Sequence, residues 1–238
     1  MEQPIESTTI NQYLLTIRIG SDGYNLSVFD ESSILLSSKK VAASLFSISS
    51  DEIIKLLTPE TQLNYRTLRL ICESEIYTFV PALFFKPENA TDFLQFLSKP
   101  IKSNQVLFNR IPQWDTVNVF SIPKTVHTAL THLFPDVPVE HHLGYFLGER
   151  VKLQSENSVS IAVRSNVMDV IVISGGGLQL INSYSFNTPE DFTYYTLNLF
   201  DKLQLDTENC NVVLYNAGKR PELQKTLELY LGVTTAEY

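Results

Sequence analysis

An internal repeat constrains this chain most. Residues 14–38, shifted by 144 positions, overlay residues 158–182 without a gap. Ile17 meets Ile161, Ile19 meets Val163, Ser21 meets Ser165 and Asp22 meets Asn166. Leu26 meets Val170, Val28 meets Val172, Phe29 meets Ile173 and Ile34 meets Leu178, while the turn Asp30 to Ser33 falls on Ser174 to Gly177. Both copies place β-favouring residues between turn-forming clusters, the pattern of an antiparallel meander. In the first, strands run from Tyr13 to Ile19, from Tyr24 to Phe29 and from Ile34 onward, with Gly20-Ser-Asp-Gly23 as a turn. In the second, they run from Val159 to Val163, from Val167 to Ile173 and from Leu178, with Gly175-Gly-Gly177 in the hairpin.

Each copy then reads as helix, strand, helix. Ser50 and Asp51 offer an N-cap for a helix that ends near Pro59, and Arg66 to Cys72 is a buried strand. In the second copy, Thr188 caps a helix with Pro189 in its first turn, and Tyr195, Leu199, Phe200 and Leu203 form its apolar face. Val212 to Tyr215 is a strand, Asn216-Ala-Gly218 a turn, and Pro221 to Leu231 a closing helix stopped by Gly232. The order strand–strand–strand–helix–strand–helix therefore occurs twice. It predicts an α/β chain of two similar halves, residues 1–150 and 151–238.

Between the repeats, Tyr77 to Phe85 is extended and residues 88–97 have helical spacing. Val106 to Phe108 and Thr116 to Ile122 are strand-like, and Pro123 opens a helix carrying Val126, Leu130, Leu133 and Phe134. Val137 to Val139 is extended, and residues 141–151 are helical.

Composition narrows the function classes. Lys and Arg number 18 against 26 Asp and Glu, a formal charge of −8, with no basic tract. Nucleic acid and anionic membranes are poor partners for such a surface. No apolar run reaches the roughly eighteen residues of a membrane span, and the polar, acidic N-terminus does not read as a secretory signal. The expectation is a cytoplasmic protein with no membrane insertion. Cys72 and Cys210 are far apart and outside any CxxC pattern, which argues against a disulfide framework or structural zinc.

A duplicated ribonuclease-H-like unit (β-β-β-α-β-α) resembles the actin-like ATPase fold. Residues 116–203 resemble the actin-like proteins of type IV pilus and type II secretion assembly. Val80-Pro-Ala-Leu-Phe-Phe-Lys-Pro-Glu88, followed by a Phe-Leu helix, is similar to an uncharacterised bacterial family of actin-like fold. That resemblance implies a fold over nearly the whole chain and no particular chemistry.

The superfamily's first phosphate loop is similar to D-x-G-x-x-x-[ST], with the Asp holding magnesium through water. The matching stretch here is Arg18-Ile-Gly-Ser-Asp-Gly23. Gly20 and Ser21 are retained, but Arg18 stands where the carboxylate belongs. The second loop resembles D-x-G-G-x-T; here Ala162-Val-Arg-Ser-Asn166 has neither the Asp nor the glycines. The adenosine-side stretch Val212-Val-Leu-Tyr-Asn-Ala-Gly218 keeps its glycine, also the ordinary chemistry of a strand-to-helix turn. Asp22 offers a displaced substitute for the lost carboxylate, or is a solvated turn former.

The expectation is an actin-fold protein with degenerate phosphate loops, non-catalytic, working as a scaffold for a protein partner or as a homodimer and needing no cofactor. The alternative is a nucleotide-binding ATPase that holds ATP and magnesium in a shifted geometry through Gly20, Ser21, Asp22 and Gly218. A third reading is a metal enzyme using His141 and His142 with Glu140 and Glu149. His127 and His132, five residues apart, do not share a helix face.

Overall fold

A computed structural model describes residues 13–61, 65–96, 102–149, 151, 156–216, 218 and 220–236. The chain divides into two compact units, Met1–Tyr145 and Phe146–Tyr238. The boundary falls inside a helix, where the sequence suggested a division just after it.

The first unit opens with β1 (Leu14–Gly20), β2 (Gly23–Phe29) and β3 (Leu35–Val41). Helix α1 (Ser50–Thr61) leads to β4 (Thr67–Cys72), which lies parallel beside β1. A layer absent from the repeat follows: β5 (Tyr77–Pro81), α2 (Ala90–Gln95), β6 (Asn104–Ile111) and β7 (Thr116–Pro123), whose strands form a separate sheet ordered β5-β7-β6. Helix α3 (Lys124–Leu133) and β8 (Val139–His141) complete the main sheet, ordered β3-β2-β1-β4-β8.

Helix α4 (His142–Glu149) carries the chain into the second unit: β9 (Ser158–Arg164), β10 (Val167–Ser174), β11 (Gly177–Ser185), α5 (Pro189–Lys202), β12 (Asn211–Tyr215), α6 (Pro221–Leu227) and β13 (Val233–Ala236). Its sheet is ordered β11-β10-β9-β12-β13, the same topology as the first.

The 144-residue offset holds at the level of hydrogen-bond register in β1, β2 and β4, and becomes 143 in β3, where Phe29 opposes Leu35 while Ile173 opposes Leu178. Leu14 opposes Phe29 and Gly20 opposes Gly23 in one hairpin; Ser158 opposes Ile173 and Arg164 opposes Val167 in the other. A bulge falls between Val28 and Phe29 in one copy and between Val172 and Ile173 in the other. The parallel neighbours start at Leu14↔Thr67 and Ser158↔Asn211. A one-residue slip would turn every strand side chain to the other face, so a register preserved through two pairings, with the bulge at the equivalent place in the second strand, is strong evidence of duplicated geometry.

Each unit has its own core. In the first, Leu15, Ile17, Ile19, Leu26 and Val28 pack with Ile53 and Leu57 of α1 and Val126, Ala129 and Leu130 of α3. Phe120 and Ile122 join this core, while Val117 and Val119, on the other side of β7, pack with Val80, Phe85 and Leu94. In the second, Val159, Ile161, Val170 and Val172 pack with Phe192, Leu199 and Phe200 of α5 and Leu223 and Leu227 of α6. Full burial of each such side chain contributes about 1.5–3 kcal/mol before ordering costs.

Several element ends differ from the sequence expectation. The cap of α1 is Ser49, not Ser50 or Asp51: Ser49 N donates to Glu52 Oε2 at 2.9 Å, and Glu52 N donates to Ser49 Oγ at 3.4 Å. These bonds to Ser49 hold the Glu52 carboxyl below its ordinary range. Helix α1 passes through Pro59 to Thr61; the carbonyl that loses its donor, Lys55, belongs to an exposed residue. Extended structure after Tyr77 stops at Pro81, where Ala82–Phe84 forms a 3₁₀ turn. Pro123 ends β7 and flanks α3 as its N-cap. His141 is a strand residue, so α4 starts one position later. Helix α6 stops at Leu227, leaving room for β13 beside β12. The α5 start matches expectation: Asp191 N donates to Thr188 Oγ1 at 3.1 Å and Thr188 N to Asp191 Oδ2 at 3.2 Å.

Candidate functional site

The first unit's phosphate-loop stretch is the β1–β2 hairpin. Its turn is Ser21-Asp22, between Gly20 and Gly23. Arg18 lies near the end of β1, and the next strand over, β4, ends one residue before Glu73. Parallel pairing carries Glu73 N to the Ile19 carbonyl at 2.8 Å. Its carboxylate then accepts from Arg18 Nε at 2.7 Å, with both side chains 19% exposed. Gly20 makes room for this pair: a Cβ there would stand 2.9 Å from Glu73 Oε2. Gly20 thus accommodates a carboxylate of the chain itself, where the actin-like pattern would have it admit a phosphate. Asp22 accepts from Lys40 Nζ at 2.6 Å in a solvent-exposed ion pair. Gly23, at φ +139°, is required by the backbone: a Cβ would sit 2.1 Å from the Val41 carbonyl oxygen.

The second unit's stretch is built on a different ion pair. Arg164, at the end of β9, donates from Nε to Asp169 Oδ2 at 2.5 Å and from Nη2 to Asp169 Oδ1 at 2.9 Å. Ser183 Oγ of β11 donates to the same Oδ1 at 2.6 Å. Asp169 is fully buried, and a bidentate guanidinium with a hydroxyl supplies the strong donors such a carboxylate requires. Ala162, where the actin-like pattern has its Asp, is also fully buried. The turn Ser165-Asn166 is braced by Arg220, whose Nη1 reaches the Ser165 carbonyl at 3.3 Å and Asn166 Oδ1 at 3.4 Å. Arg220 also pairs with Glu222 and lies over the Phe186 ring, 5.5 Å from its centroid.

Gly20, Ser21 and Asp22 therefore share one hairpin of the first unit, and Gly218 lies between β12 and α6 of the second. The Gly175-Gly176 turn has both residues in the left-handed region, at φ 59° and 73°. Its amides are occupied: Gly175 N donates to Asn157 Oδ1 at 3.1 Å and Gly176 N to the Glu156 carbonyl at 2.9 Å.

His141 and His142 are buried in an aromatic cluster. Their ring centroids are 4.3 Å apart, and His141 lies 4.8 Å from Tyr77 and 5.0 Å from Phe120. His141 Nε2 meets the Ser74 carbonyl at 3.1 Å. The Asn109 side chain ties the inserted sheet to β8, donating to the Val139 carbonyl at 3.0 Å and accepting from His141 N at 2.8 Å. Among the described residues, no group of three or more His, Cys, Asp or Glu side chains is arranged to hold a metal ion. Burial pushes the Cys72 thiol up to about 12 and raises Cys210, an environment that suppresses thiolate chemistry.

Arg18 and Arg164 stand out in the sequence, but Glu73 as the partner of Arg18, Ser183 as a further donor to the Asp169 that pairs with Arg164, and the brace from Arg220 onto the second turn do not. Glu73 is 55 residues from Arg18 and becomes adjacent only through parallel pairing.

The family described as "Protein of unknown function (DUF3822)" matches residues 2–232. A protein from Bacteroides thetaiotaomicron, described as having an actin-like ATPase fold and unknown function, superposes with a TM-score of 0.80. It is 21% identical, over 98% of this chain and 94% of that one. The ethanolamine utilization protein EutJ from Carboxydothermus hydrogenoformans aligns at TM-score 0.49 and 8% identity, over 99% of this chain and 86% of that one. A PilM-PilN type IV pilus biogenesis complex contains a chain aligning at TM-score 0.47 and 12% identity, over 94% and 88% of the respective chains. No curated protein sequence matches. The match to the Bacteroides thetaiotaomicron protein shows the actin-like ATPase fold. No helix among the described residues is long and apolar enough to cross a membrane.

Proposed function

Because the chain belongs to the DUF3822 family, whose description carries no chemistry, we propose from its own residues that it is a pseudo-ATPase: a non-catalytic actin-fold protein that works through protein contacts as an interaction scaffold. The observation that carries this reading is the Arg18–Glu73 pair at the first phosphate-loop position. Phosphoryl transfer on such a scaffold needs a divalent cation and a positioned water. A guanidinium is a donor with no lone pair for a metal, and it engages the neighbouring carboxylate. The second loop adds Arg164 and the buried Asp169, a pair that satisfies itself. A fold that retains its register while both loop positions hold internal ion pairs fits selection for shape and surface. In this reading the protein is cytoplasmic, needs neither ATP nor magnesium, binds no nucleic acid and associates with protein.

The test is magnesium-dependent ATP hydrolysis by the purified full chain. Release of phosphate indistinguishable from a heat-denatured control is the expected result. Hydrolysis that requires magnesium and disappears in Asp22→Ala would overturn the proposal in favour of a shifted site on Gly20, Ser21, Asp22 and Gly218.

A further inference from the structure

Strand β3 is the outer strand of the first unit's sheet and pairs with β2. At its start, Ile34, Leu35 and Leu36 are 60%, 53% and 44% exposed. The repeat supplies an internal reference: by pairing register Leu35, opposite Phe29, corresponds to Leu178, opposite Ile173, and the bulge residue Leu36 corresponds to Gln179. There Leu178 is half-buried, and the bulge position of Leu36 is taken by an exposed polar residue. One leucine site is thus covered in one copy and open in the other, and the exposed bulge site is polar in one copy and apolar in the other.

The open strip is held in a defined shape. Ser32 N and Ile34 N both donate to Asp30 Oδ1 at 2.8 Å, and Ser33 takes the left-handed conformation at φ 62°. The bulge beside Phe29 interrupts the alternation of β3, which is why two successive leucines both face water. The strip also has electrical polarity, with Asp30 and Glu31 at one end and Lys39 and Lys40 at the other. Lysines on an edge strand ordinarily discourage pairing. An acidic turn at the opposite end changes the outcome: two copies laid antiparallel bring the acid end of each to the basic end of the other, whereas a parallel arrangement sets like charges together. The present neighbours of these charges, Asp22 for Lys40 and Arg66 for Glu31, form solvent-exposed pairs at 2.6 and 3.6 Å. Pairs of that kind hold their members weakly.

We propose that the β3 edge docks a second copy of this chain in an antiparallel, twofold-symmetric contact centred on Leu35 and Leu36. In it, Leu35 lies against the partner's Leu36, and Glu31 lies beside the partner's Lys40. Such a contact is isologous and closes as a dimer. It deepens the scaffold reading by naming the partner; the hydrolysis assay decides that reading, and mass in solution decides this one.

The experiment is sedimentation of the full chain, with circular dichroism to establish that each variant is folded. The wild type sediments as a dimer. Glu31→Lys and Lys40→Glu each weaken dimerisation by about tenfold or more, because each sets like charges against each other at both ends of the contact. An equimolar mixture of these two variants restores the dimer, since every cross-contact is again between opposite charges. Leu35→Glu, at an exposed position, gives a folded monomer that mixing does not rescue. The proposal is overturned by a wild type that stays monomeric at its highest soluble concentration. It is equally overturned by a dimer that ignores Leu35→Glu or either charge reversal, or by a mixture that fails to reassociate.

Discussion

Replacing Arg164 with Met tests whether the second phosphate-loop position has become structural. Asp169 is fully buried and accepts from Arg164 twice and from Ser183 once. The substitution leaves a buried carboxylate with the Ser183 hydroxyl alone. Breaking a buried pair in this way costs about 3–5 kcal/mol. The lower end applies here, because the Arg164 side chain is 20% exposed and part of its charge is already solvated. Arg164→Met together with Asp169→Val removes both charges and returns stability to within about 1 kcal/mol of the wild type. Hydrogen–deuterium exchange of peptides from β9 and β10 reads the second unit by itself. At 1.4 kcal/mol per tenfold, the single variant loses protection by about a hundredfold and the double variant recovers it. A single variant exchanging within about threefold of the wild type, or a double variant no better than the single, would refute the structural role of the pair.

Two further perturbations follow from local geometry. Gly23→Ala places a Cβ 2.1 Å from the Val41 carbonyl at a φ of +139°, so the β1–β2–β3 meander must distort. The expected loss is about 3 kcal/mol or more, read as a lower thermal midpoint; an unchanged midpoint contradicts it. Burial raises the Glu60 carboxyl above its ordinary value, partly offset by Lys39, and raises the phenols of Tyr24 and Tyr65, both of which also feel Glu60. Between its unfolded and folded pKa values Glu60 keeps its proton in the native state and loses it in the unfolded state, so stability falls as pH rises through that window. Glu60→Gln is expected to flatten this slope and to raise stability at neutral pH, and the two tyrosines to produce a second decline at alkaline pH; urea unfolding across pH checks both, and a slope unchanged in Glu60→Gln refutes the assignment.

The repeat was legible because strands report their period and their turns locally. Ile17, Ile19, Leu26 and Val28 alternate inward, and Gly20, Gly23 and Gly175 to Gly177 sit where the chain reverses. Elements defined by neighbours were harder to read. Strand β13 is four residues long and mixes Val, Thr and Ala; only β12 beside it makes it a strand. The cap of α1 moved to Ser49 because Glu52, three residues on, completes a reciprocal pair that Ser50 lacks. At the candidate site, the absence of the Asp at Arg18 and at Ala162 was visible in the sequence, but its consequence was not. Glu73 follows the end of a strand and looks like a loop acid, and Asp169 looks like a turn-adjacent carboxylate. Sheet register alone brings the first to Arg18, and the second to Arg164 and Ser183.

The central claim is that the nucleotide-gripping positions of an actin-like fold have become internal ion pairs. Calorimetric titration of the full chain with ATP in the presence of magnesium addresses it most directly. The account predicts no saturable heat at millimolar nucleotide. A one-to-one isotherm that needs magnesium and is lost in Asp22→Ala would contradict it.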